Sequence, residues 1–188
     1  LNACSLKHNL RMVIKIAGSI IIGLLLCFSF NSCSDPMAQV EPETEDSFEP
    51  PDSITYLALG DSYTIGQGVD IADRWPNQLA YRLTNNGNPV KKIKIIAQTG
   101  WTTTNLINAI NSADLDHYDL VSLLIGVNNQ FQRKPFELFT EEFEILLDKS
   151  IDLAGGRENV FVVSIPDYGV TPYGNSNSEI IALELDQY

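Results

Sequence analysis

Four short apolar runs, at residues 56–59, 93–97, 120–125 and 160–165, are separated by stretches whose apolar residues recur with helical spacing. Residues 75–83 place Trp75, Leu79, Ala80 and Leu83 on one helical face, and Asn85, Asn86 and Gly87 stop the helix. Residues 104–110 turn Leu106, Ile107 and Ile110 inward. Residues 135–153 form a long helix opened by Pro135 and closed by Gly155 and Gly156. Residues 179–187 begin one more. Strands that alternate with helices imply parallel pairing through right-handed crossovers, with helices on both faces of the sheet. The expected fold is therefore α/β: a doubly wound, flavodoxin-like parallel sheet of four strands in the order 2-1-3-4. A fifth strand is expected beside the fourth, and the chain ends before supplying it.

The first run carries no charge and is rich in β-formers, so it reads as a strand buried on both faces. It breaks at Gly60 and delivers Asp61 and Ser62. A serine just past the carboxyl end of a central strand lies where open parallel sheets bind ligands. Gly60-Asp61-Ser62 is also an ordinary strand-ending turn by composition, so the tripeptide alone does not decide between chemistry and a turn.

Two further segments leave the carboxyl ends of the next strands: Thr99-Gly100-Trp101-Thr102 and Gly126-Val127-Asn128-Asn129. The topology brings all three to one crevice. Acyl transfer needs a nucleophilic hydroxyl and donors aimed where a carbonyl oxygen becomes an oxyanion. Ser62 supplies the hydroxyl, while the Ser62 and Gly100 backbone N–H groups and the Asn128 side-chain amide are suitable donors. Gly100 permits close approach because it has no Cβ.

These three blocks, in this order, resemble the first three blocks of the GDSL, or SGNH, hydrolases, over residues 54 to about 173. The resemblance implies a serine ester hydrolase with Ser62 as nucleophile and Gly100 and Asn128 in the oxyanion hole, needing no metal or cofactor. It also implies a small-molecule or glycan ester as substrate, with acetylated glycans and short-chain or lipid esters equally open. Two departures stand out. Asn129 occupies a place where the family commonly has Asp, and the family's Asp-x-x-His block has no match. Of the two histidines, His8 lies in an apparent targeting segment and His117 precedes the third strand. A five-residue strand spans roughly 17 Å, so His117 is expected at the far edge of the sheet from Ser62. The chain as given is thus expected to be truncated and poorly active. A non-catalytic lipoprotein that binds glycan or lipid in the same crevice is the alternative.

Around the crevice, Asp61, Tyr63, Asp167, Tyr168 and Tyr173 are candidate pocket-lining residues. Trp75 and Trp101 read as packing residues. Gly66-Gln67-Gly68 lacks the third glycine of a dinucleotide loop, and a flavodoxin-like cofactor domain would need a phosphate cradle that Asp61 disfavours.

Composition narrows the rest. The formal net charge of −12 repels phosphate backbones, which makes nucleic acid an improbable partner. All three cysteines, Cys4, Cys27 and Cys33, precede the predicted domain, leaving it no thiol for disulfide, metal or nucleophile. Residues 1–33 read as a signal peptide: Lys7, Arg11 and Lys15 come before an apolar run at 16–30, and Cys33 follows it. Cys33 resembles the acylated cysteine of bacterial lipoproteins, implying an extracytoplasmic domain held at a membrane by lipid. Residues 34–53, rich in Asp, Glu and Pro, read as a disordered acidic tether, and 54–188 as the hydrolase domain.

Overall fold

The computed structural model describes residues 52–188. The targeting segment with Cys33, and all but the last two residues of the acidic tether, lie outside the described residues.

Strand β1 (Ile54–Gly60) is central, with β2 (Val90–Ala97) on one side and β3 (Leu120–Leu124) on the other. β4 (Val160–Val162) pairs with the outer side of β3. All pairings are parallel, and the order is β2-β1-β3-β4, as the alternation of strands and helices predicts. The lack of charge in β1 now has its cause: Tyr56, Leu57, Ala58 and Leu59 are wholly buried. Successive side chains point to opposite faces. Leu57 and Leu59 join Val121 and Leu123 of β3, Leu106 and Ile110 of α3 (Thr103–Ser112) and Leu146 of α5 (Phe136–Ala154) in the main core. On the other face the Tyr56 ring stacks on Phe161, and its hydroxyl shares a 2.8 Å hydrogen bond with Ser122.

At the amino-terminal end of the sheet, Asp119 clasps β1. Its carboxylate accepts from the Thr55 N–H at 2.7 Å and the Thr55 hydroxyl at 2.8 Å, which holds its pKa below the ordinary carboxylate value. Helix α2 (Trp75–Asn85) runs back toward β2 with Trp75, Leu79, Ala80 and Leu83 half-buried. Helix α5 ends where Gly155 adopts a left-handed conformation and donates to the Asp152 and Ile151 carbonyls. Helix α6 (Ser178–Leu185) closes the described chain.

Two expectations need correction. β4 is only three residues long, not the six at 160–165: β3, its one neighbour, ends at Leu124, so later residues have little ladder to join. The segments after β1 and β3 are not loops. They fold at once into short helices, α1 (Ser62–Ile65) and α4 (Val127–Phe131), too brief to leave a periodic signature in sequence.

Candidate active site

Gly60 fixes the end of β1. A Cβ there would lie 2.1 Å from the Thr64 hydroxyl oxygen and 2.5 Å from the Leu124 carbonyl, so only glycine lets β1 pass β3 while α1 folds back over it. Asp61 then caps α1. Its carboxylate accepts from the Tyr63 N–H at 3.0 Å, and its carbonyl accepts from Thr64 and Ile65 at 3.2 and 2.9 Å. Ser62 is the first residue of that helix, with its own N–H outside these capping bonds.

Asp61 was a candidate for the pocket wall, and the structure places it elsewhere. It is 1% exposed, and its second carboxylate oxygen has no hydrogen-bond partner. Burial raises its pKa from 3.8 to about 6, against the opposing pull of the Tyr63 N–H. A short polar side chain committed to its own helix cap turns inward, away from solvent.

The second and third segments are fastened to each other. Gly100 has φ +84°, a left-handed turn residue, and its carbonyl accepts from the Gln132 side chain at 3.0 Å. The Asn128 amide nitrogen donates to the Trp101 carbonyl at 2.9 Å, which occupies one of its two hydrogens. Asn129 is wholly buried: its oxygen accepts from the Thr103 N–H at 3.0 Å and its nitrogen donates to the Thr103 hydroxyl at 2.7 Å. The Thr103 hydroxyl in turn donates to Glu142. Asn129 therefore joins α4 to the start of α3, a structural task that needs both halves of an amide. Gly126, at φ +131°, makes the turn into α4 with Phe139 and Ile165 too near for any side chain.

Ser62, Thr99 and Asn128, one from the end of each of three strands, line a single cavity of about 600 Å³. Its walls include Tyr63, Val127, Phe131, Tyr168 and Tyr173. Burial, aided by the Asp61 charge, pushes the Tyr63 phenol above its ordinary pKa. Gly100 adjoins Thr99 but is not itself part of the lining. Asp167 is also placed away from it: its carboxylate accepts from the Gly169 N–H at 2.7 Å, and it faces a different cavity with Phe143 and Val162. Trp101 packs against the core, as expected. His117 is exposed and precedes β3, at the end of the sheet opposite Ser62.

Sequence reasoning did not single out Phe131, and met Gln67 only within a discounted dinucleotide loop; its side-chain oxygen accepts from the Thr99 hydroxyl at 2.5 Å. Phe131 falls one helical turn after Asn128, a relation visible only once α4 is known to be a helix.

Residues 58–188 match the GDSL-like Lipase/Acylhydrolase family. The chain belongs to this family. Among solved structures, the GDSL-like domain is similar to AlinE4, an SGNH-hydrolase family esterase, with TM-score 0.53 and 19% identity over 73% of this chain and 75% of that one. It is also similar to the lipase Lip_vut3 from a goat rumen metagenome, with TM-score 0.51 and 15% identity over 71% and 75% of the two chains. A putative lipolytic protein of the G-D-S-L family from Desulfitobacterium hafniense aligns with TM-score 0.50 and 18% identity over 70% of each chain. At these identities the likeness is one of fold. No curated protein matches the sequence.

Proposed function

We propose that this GDSL-like domain hydrolyses carboxylic esters, with Ser62 as nucleophile. In this reading the Ser62 oxygen bonds to the ester carbonyl carbon, the alcohol leaves with the serine proton, and water then releases the acid from the acyl-enzyme. The negative charge of the tetrahedral intermediate falls on the carbonyl oxygen, where the Ser62 and Gly100 N–H groups and the uncommitted hydrogen of the Asn128 amide stabilise it. The observation that carries the proposal is that Ser62 and Asn128, 66 positions apart by their numbers, line one cavity at the carboxyl end of the sheet.

With His117 at the other end of the sheet, no imidazole among the described residues stands where it could take the serine proton. Without such a base, Ser62 keeps only the slow chemistry of oxyanion hole and binding. That same gap is what favours a second reading, a domain that binds glycan or lipid esters without cleaving them. We further place the domain outside the cytoplasm, tethered through a lipid on Cys33.

Turnover of p-nitrophenyl butyrate by the polypeptide of the full reading frame tests the enzyme reading. Ser62→Ala is expected to abolish it, and Asn128→Ala to reduce kcat by roughly 10²–10³. Activity that persists in Ser62→Ala would remove Ser62 from the mechanism, and a full-length protein with no turnover would leave the binding reading.

A further inference from the structure

Phe131, Tyr168 and Tyr173 line the Ser62 cavity on one side and a second cavity of about 310 Å³ on the other. Their ring centroids lie 6.1–6.4 Å apart. The planes incline by 42–76°, so no pair stacks face to face and the three rings form a ledge of edge-on and tilted contacts. Phe131 is 50% and Tyr173 74% exposed, although apolar rings of this size are ordinarily buried.

The two cavities differ in chemistry. Among the described residues, no charged side chain lines the one with Ser62. The second carries Arg133, Asn177 and Glu184 beside the rings. Gln130, nearly buried on α4, sits between them: its side-chain oxygen accepts from the Tyr168 hydroxyl at 2.8 Å, and its nitrogen donates to Glu184 at 2.5 Å. This relay ties the aromatic ledge to the helix that carries Asn128. Glu184 keeps a further carboxylate oxygen, and the Arg133 guanidinium makes no hydrogen bond or ion pair among the described residues. Arg133 is also the one described non-glycine residue at positive φ, +53°. It is held there as α4 ends, with its N–H on the Gln130 carbonyl and that of Lys134 on Asn129.

We propose that the second cavity is a subsite for an uncharged carbohydrate, with a sugar ring lying on the Phe131, Tyr168 and Tyr173 ledge. Sugar rings present apolar C–H faces and a belt of hydroxyls that both donate and accept. The ledge meets the first, and a guanidinium, an amide and a carboxylate meet the second with donors and acceptors together. An anionic ligand would face Glu184 and the field of a chain with net charge −12. A simple acyl chain would leave Arg133, Asn177 and Glu184 without use. Resting on the ester-hydrolase reading, the inference narrows its substrate to esters of neutral glycans, with the acyl group at Ser62 and the sugar across the ledge.

Binding of xylotriose, which has no ester, to the 188-residue chain separates this inference from that reading. Isothermal titration is expected to show saturable binding, weakened about five- to tenfold by Tyr173→Ala and by Arg133→Gly. Both weakening substitutions suit the fold, since Tyr173 is exposed and glycine fits a left-handed position. Absence of saturable binding, or binding that neither substitution weakens, would overturn the subsite. So would binding of hexanoate, in place of xylotriose, that the same two substitutions weaken. Saturable xylotriose binding beside a full-length protein without esterase turnover would leave the subsite standing and remove the hydrolase reading alone.

Discussion

Replacing Asp61 by Asn changes the pH dependence of stability in a way that can be calculated. The Asp61 carboxyl is 1% exposed, and burial raises its pKa from 3.8 to about 6. Below about pH 3 it is protonated in folded and unfolded chains alike and is neutral for stability. As pH climbs past 3.8 the unfolded chain gives up its proton while the folded one retains it until about pH 6. The unfolded state therefore binds fewer protons over this window, and stability falls. A gap of roughly 2 pH units at about 1.4 kcal/mol each amounts to ~3 kcal/mol, lost by pH 7. Asn keeps an oxygen for the Tyr63 N–H and never ionises. The stability of Asp61→Asn minus that of the natural chain is thus expected to grow by roughly 2.5 kcal/mol between pH 4 and pH 7. In urea melts followed by tryptophan fluorescence at pH 4, 5, 6 and 7, with a slope of about 1.5–2 kcal/mol/M, the separation of the two midpoints grows by roughly 1.5 M. Other titrating groups, Asp119 among them, act equally on both proteins and cancel. Parallel midpoints across the range would show that Asp61 is not held against ionisation, and the account of its burial would be wrong.

Asn129→Ala leaves the Thr103 N–H without its buried acceptor, and a loss of about 1–3 kcal/mol is expected by the same melts. A fall well under 1 kcal/mol would mean that water replaces the amide. Gly60→Ala drives a methyl against the Thr64 hydroxyl and the Leu124 carbonyl. It should cost about 1–3 kcal/mol and displace α1, which near-ultraviolet circular dichroism would register. For the proposed anchor, Cys33→Ala should abolish incorporation of radiolabelled palmitate in a bacterial host and release the protein from membranes; unchanged labelling would exclude Cys33 as the acylated residue.

The sequence alone determined the parallel order of the sheet. Runs such as 56–59 can be buried on both faces only in a central strand, and helices between strands force crossovers. It also determined which three segments share the carboxyl edge, because parallel strands all end on the same side. Periodicity needs several turns to register, so α1 and α4 were invisible to it, and the three-residue length of β4 was decided by where β3 stops. Side-chain direction belonged to the tertiary structure as well. Asp61 and Asp167 stand beside pocket residues in sequence, yet each bonds a backbone N–H two residues on and turns away from the cavity. Phe131 and Gln130 entered the site because a helix of five residues aims them toward Tyr168. Adjacency along a chain fixes which backbone a side chain hangs from, whereas the cavity it meets depends on how separate elements pack.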